Sequence, residues 1–162
     1  MKRFLFAIAA LAAFALVSVA TAAGPSNGAA VGAVTYPYFS GTANFDFFAT
    51  GTPTKAVGKI YYKLTWGQPI NATGSVNCYQ QYGNQAYLSG TWDKPIVFTG
   101  MTFQYFAATV VDGHQTGSPD QVYVTWSGTP WPCTSTDWLD WGLTITPPVT
   151  HGQVIVLPSA TS

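Results

Sequence analysis

The chain is 162 residues long, and its six Lys and Arg balance its six acidic residues, so it is formally neutral. Only 7% of it is charged, while 48% is hydrophobic and 15% aromatic. That excludes a nucleic-acid binder that tracks phosphates with basic residues, and a disordered chain, which needs low hydrophobicity and high net charge.

Lys2 and Arg3 open a positive segment, Phe4 to Val17 form an apolar run, and Ala20-Thr21-Ala22 has the small-x-small order of a cleavage site. This three-part order predicts a secretory signal peptide over residues 1–22. The apolar run is shorter than a spanning helix needs and no stop-transfer charges follow, so no transmembrane anchor is expected. The expected location is secreted, extracellular or periplasmic. Cleavage after Ala22 would leave 140 residues, a normal size for one domain with one core. Four Lys would then face six Asp, a net charge of −2, with no Arg and no Glu. Without Arg, bidentate guanidinium recognition of phosphate or carboxylate is ruled out.

Residues 23–33 are small and turn-rich and are expected to form a flexible lead-in to a domain over 34–158. From there the apolar period is two. Ala43, Phe45, Phe47 and Ala49 alternate with Asn44 and Asp46, and Ile60, Tyr62, Leu64 and Trp66 alternate with Lys59, Tyr61, Lys63 and Thr65. Both stretches read as half-buried strands. Further strands are predicted near 34–38, 73–80, 86–93, 101–111, 121–127, 141–146 and 153–157. Turn signals part them at Gly51-Thr52-Pro53, Gly67-Gln68-Pro69, Gly83-Asn84, Asp112-Gly113 and Thr146-Pro147-Pro148. Short strands at this spacing, rich in Val, Thr, Tyr, Phe and Trp, predict an all-β domain: an antiparallel β-sandwich or flattened barrel.

Cys78 and Cys133 form an even pair in an exported chain, which favours a disulfide over a metal or redox site; two buried free thiols are the alternative. Gly24-Pro25-Ser26-Asn27-Gly28 satisfies G-x-S-x-G but lacks the strand and helix a nucleophile elbow requires. His114 and His151 lie in or beside loops with no ligand partner at zinc spacing. The segment from Asp112 to Asp120 carries an Asp at each end and two glycines. Asp112 and Asp120 are therefore candidate ligands for Ca²⁺, which favours carboxylate and carbonyl oxygens on such loops; Asx-type turns capping backbone amides are the other reading.

The aromatics are the larger resource. Trp126, Trp131, Trp138 and Trp141 gather around Cys133, with Asp137 and Asp140 among them. These six residues are the candidate ligand-binding set, because exposed rings on one face can stack on sugars; an aromatic cover over a disulfide is the competing reading. Asn71-Ala72-Thr73 matches the glycosylation sequon.

Gly74-Ser75-Val76-Asn77-Cys78, the hairpin from Gly83-Asn84 to Gly90, and Val111-Asp112-Gly113 through Pro119-Asp120-Gln121-Val122 are three distinctive stretches. Together they resemble a family of small secreted bacterial β-domains related to the post-COAP type. The ending His151-Gly152-Gln153-Val154-Ile155-Val156 is similar to its closing strand. The likeness covers roughly residues 40–157 and implies an antiparallel β-domain; it implies no reaction. The Trp-rich stretch around Cys133 departs from it. The expected function is therefore that of an exported, non-enzymatic domain binding glycan or cell-envelope polymer through an aromatic surface. Two alternatives accompany it: a self-associating subunit of an extracellular fibre or surface layer, and a small cation-dependent enzyme.

Overall fold

The computed structural model describes residues 28–133 and 148–157. The expected signal peptide, the G-x-S-x-G serine, the strand expected near 141–146, and Asp137, Trp138, Asp140 and Trp141 lie outside them. Within them the chain is all-β, in eight strands: β1 (Gly28–Tyr38), β2 (Gly41–Thr52), β3 (Lys55–Leu64), β4 (Ile70–Tyr82), β5 (Gln85–Phe98), β6 (Met101–Val111), β7 (Gln121–Ser127) and β8 (His151–Leu157). A single 3-10 turn over Gly113–Gln115 lies between β6 and β7. No helix among the described residues is long and apolar enough to cross a membrane.

The strands form one antiparallel sheet in the order β7-β6-β5-β4-β3-β2-β1-β8. From β1 to β7 each strand pairs with the next in sequence, a plain meander. Only β8 comes from far away, with Ala29 opposite Leu157 and Thr35 opposite His151. Of the two architectures expected, the barrel-like one describes this sheet better than the sandwich. One sheet curls around one core, which draws residues from every strand, Val122 and Val124 of β7 and Val154 and Val156 of β8 included.

The period-two pattern decides what faces inward. In β2, Ala43, Phe45, Phe47 and Ala49 are buried while Asp46 and Phe48 are exposed; in β3, Ile60, Tyr62 and Leu64 are buried while Lys59 and Lys63 are exposed. A one-residue slip would exchange the two faces, so the register is strongly set. Large rings need room. Phe106 lies over Gly74 and Gly90, where a Cβ would fall 2.8 Å from its ring at either position.

The expected lead-in over 23–33 is corrected for residues 28–33, while residues 23–27 lie outside the described residues. Residues 28–33 are the first half of β1, hydrogen-bonded to β2 on one side and β8 on the other. Gly and Ala have poor strand propensity, yet propensity measures fit to a pleated surface more than a backbone preference. Small residues fit at this place: a Cβ on Gly32 would run into the ring of Phe47, and one on Gly28 would stand 2.8 Å from Cε1 of Tyr79.

The pattern also breaks at the β4–β5 hairpin. Cys78, Tyr79 and Gln80 are all buried in β4, as is every residue from Gln85 to Gly90 in β5. The alternation shifts phase at a bulge between Val76 and Cys78, and a second layer covers the outer face. After β7 the chain crosses back over this hairpin, where Trp131 and Cys133 pack on Cys78, Tyr87 and Ala107. Cys78 and Cys133 form the expected disulfide, Cα atoms 5.6 Å apart, within the usual range for a bridge. Gln80 Nε2 donates to the Cys133 carbonyl beside it.

Candidate functional site

The outer face of the sheet carries a trough of about 900 Å³ that runs across β8, β1, β2, β3 and β4 to Asp93 of β5. Its floor follows from the register. Ile155, Val31, Phe48, Lys59 and Ser75 form one cross-strand row, and Gln153, Ala33, Asp46, Tyr61 and Thr73 form the next. Directly opposed residues on one face stand roughly 5 Å apart, so each row is a continuous surface. The β8–β1–β2 side is mainly apolar, with Phe48 44% exposed there; Asp46 and Gln153 are its polar members. The β3–β4–β5 side is polar. A second hollow of about 630 Å³ continues past Thr73 and Asp93 along Gln68–Ala72 and Lys94–Val97.

The polar side is a closed network centred on Asp93. Lys59 Nζ donates to Asp93 Oδ1 at 3.1 Å and to Ser75 Oγ at 2.8 Å. Thr73 Oγ1 donates to Asp93 Oδ2 at 2.8 Å and Ser75 Oγ to Oδ1 at 3.1 Å. The Thr73 hydroxyl first, then Lys59 and Ser75, hold the Asp93 carboxyl below its ordinary range, because each stabilises the ionised form. Asp46 is its opposite. No hydrogen bond or ion pair holds it among the described residues, and partial burial raises its carboxyl above the usual value. It stands directly across from Tyr61 on β3 and Ala33 on β1.

Asp112 and Asp120 are brought together, 6% exposed each, with His114 beside them. Asp112 Oδ1 accepts from His114 N at 3.1 Å, the expected Asx turn. Asp120 Oδ1 accepts from Gly113 N at 2.8 Å and lies 3.3 Å from His114 Nδ1. The remaining oxygens reach across to β8. Asp120 Oδ2 accepts from Val154 N at 2.7 Å, and Asp112 Oδ2 accepts from Val156 N at 3.3 Å. Gln115 Nε2 donates to both Asp112 Oδ2 and the Val156 carbonyl. Val154 and Val156 thus meet acceptors on the side away from β1, where a strand edge would otherwise leave buried N–H groups unpaired. The two carboxylates form a clasp that ties β8 to the β6–β7 loop. A cation there would compete with four backbone N–H dipoles already aimed at the same oxygens.

Trp126 and Trp131 are partly buried and engaged in packing. The Trp126 ring lies against Tyr62, Phe98 and Phe103 with centroids 5.8 Å away in each case, and Trp131 covers the disulfide. His151 opens β8 and is exposed. Asn71 of the sequon is exposed too, while its Thr73 is engaged with Asp93.

Local sequence places Asp46 and Tyr61 on solvated strand faces but does not join them to Phe48 and Asp93 as one site, although a signal is present. Phe48 is an aromatic residue on the face that otherwise carries Asn44 and Asp46, and Tyr61 sits between two lysines on the solvated face of β3. Asp93 meets Lys59 only because β3, β4 and β5 are neighbours. No family model, curated protein or solved structure matches this chain.

Proposed function

We propose that the chain is an exported, non-enzymatic β-domain that binds a glycan or cell-envelope polymer, and that the outer trough is its binding surface. One observation carries this reading: two aromatic residues, Phe48 and Tyr61, stand on adjacent strands of an open trough whose other border is a hydrogen-bonded polar network. Ligand sites combine apolar and aromatic walls with a few placed polar groups, and a polysaccharide offers both apolar ring faces and hydroxyls. The length of the trough across five strands suits a polymer better than a single small molecule. The disulfide agrees with an oxidising compartment. The resemblance to post-COAP-type secreted domains belongs to the same reading.

Affinity electrophoresis of the chain through gels containing soluble polysaccharides provides the test. Retardation in at least one gel is expected, and Phe48→Ala with Tyr61→Ala should abolish it without lowering the melting temperature, since neither ring belongs to the core. Equal mobility in every gel would remove the proposal.

A second reading has its own support. Ile155 (38% exposed) shares the row of Phe48, and Leu157 (48%) of β8 and Val57 (63%) of β3 lie in the next row, so the apolar area extends past Phe48 on both sides of β2, as a surface for self-association in a fibre or layer would. Analytical ultracentrifugation separates the two. Association that Leu157→Ser and Val57→Thr abolish while polymer retardation survives would assign this flank to copies of the chain; a monomer at high concentration rejects it.

A further inference from the structure

We infer that the polymer taken by the trough carries free amino groups; this rests on the glycan reading above and names the ligand class within it. Three charged residues line the trough: Asp46, Lys59 and Asp93. Lys59 and Asp93 neutralise each other, with Ser75 and Thr73 completing the pair. Asp46 remains, an acid without a partner among the described residues. Its neighbours on the β1 side, Val31, Ala33 and Thr35, are uncharged, as are Gln153 and Ile155 of β8. On the β3 side Tyr61 lies directly across, with Lys59 and Lys63 on the two diagonals. Lys59 is committed to Asp93. Lys63 lies outside the trough lining and makes no ion pair among the described residues.

The chemistry of a ligand that satisfies Asp46 follows. Apolar neighbours remove part of the water from this carboxylate, and a charge in that setting gains more from an opposite charge than it would in bulk solvent. An ammonium placed against Asp46 also comes within reach of the faces of Phe48 and Tyr61, which attract cations. A neutral or N-acetylated chain would cover the carboxylate and leave it less hydrated and still unpaired, which is costly. An acidic polymer would meet the carboxylate with the one lysine of the trough already taken. The preference therefore runs from amino sugars through neutral and acetylated sugars to uronic acids. Lys63, at diagonal distance, opposes it in part, so the advantage of the amine is about tenfold rather than a hundredfold.

Isothermal titration of the intact chain against four oligosaccharides of equal length tests this: a de-N-acetylated glucosamine oligomer, its N-acetylated form, a neutral glucose oligomer and a uronic acid oligomer. In slightly acidic, low-salt buffer the amine form should bind about tenfold tighter than the acetylated one. Asp46→Asn should bring the two to the same affinity, and the neutral oligomer, no longer covering an unpaired carboxylate, should bind somewhat tighter. Equal binding of amine and acetylated oligomers to the unsubstituted chain overturns the inference but leaves the glycan reading standing. A preference that survives Asp46→Asn overturns it as well, as does an oligolysine of equal charge binding as tightly as the amino sugar. If none of the four sugars binds, the glycan reading fails, and this inference with it.

Discussion

Replacing Asp120 by Ala tests whether side chains, in place of a backbone ladder, hold the last strand. The carboxylate receives Gly113 N at 2.8 Å and Val154 N at 2.7 Å, and both hydrogen bonds are buried. Removing the acceptor strands two amide groups, each costing about 1–3 kcal/mol when left unsatisfied. The expected loss is about 4 kcal/mol, or roughly 10–15 °C in melting temperature for a domain of this size. Asp120→Asn is the graded control. Its single oxygen can serve one amide, while its NH₂ faces the other donor, so about half the loss should remain. Thermal unfolding by circular dichroism measures the shift, and amide hydrogen exchange locates it. Val154 and Gly113 should lose protection, whereas Val156, held by Asp112, should retain most of its own. A change below about 1 kcal/mol, or protection lost evenly over all strands, would show that β8 does not depend on the clasp.

Cys78→Ser with Cys133→Ser opens a 55-residue span; the loop-entropy relation gives about 4 kcal/mol of destabilisation, readable as a lower urea midpoint that reductant produces equally in the unsubstituted chain. Burial raises the phenols of Tyr36, Tyr62, Tyr79 and Tyr87 above the ordinary value of 10.0. Because the folded state keeps these protons more tightly than the unfolded state, the associated stability is complete below pH 10 and is lost as pH rises beyond it. Absorbance titration at alkaline pH should show them ionising together with unfolding; a smooth titration of all nine tyrosines of the sequence in a folded chain would contradict this. Gly90→Ala forces a Cβ to 2.8 Å from Phe106 Cζ and onto the Ser75 carbonyl. Overpacking of this kind costs about 1–3 kcal/mol, measurable by urea denaturation, and an unchanged midpoint would mean that both the ring and the β4 backbone at Ser75 yield without cost.

Most of the fold is legible where one face is wet and the other dry. Alternation in 42–49 and 57–66 locates β2 and β3 and sorts their side chains, because a sheet with one solvated face leaves a period-two record. That record is absent where both faces are covered. Nothing near Tyr87 or Ser89 announces that Trp131 and Cys133 lie on their outer side, since the cover arrives from more than 40 residues away. The start of β1 is hidden for another reason: Gly28, Ala30 and Gly32 are small because neighbouring strands supply the bulk, and composition alone reads smallness as looseness. In the β6–β7 loop the residues that matter are visible in the sequence, but their partners are backbone N–H groups of Val154 and Val156, which carry no side-chain signature. The trough is likewise an assembly of five strands and Asp93 of a sixth, and only its aromatic members on polar faces hint at it locally.

The position of β8 has a kinetic consequence. Every other pairing in the sheet joins consecutive strands, so β1 to β7 can zip as successive hairpins with short loops to close. The pairing of β1 with β8 joins Ala29 to Leu157, almost the full span of the described chain, and contacts so distant in sequence form slowly because loop closure must come first. Until the final residues are available, β1 exposes a bare edge of small residues, an open template for another strand. The same delay leaves Asp112 and Asp120 hydrated, waiting for the amides they will bind. In a pulse-labelled refolding experiment the amides of Val154 and Val156 should therefore gain protection last. On this view the far end of the chain acts as the latch that completes a sheet already formed, and a chain that stops before it would be prone to pair with its own copies.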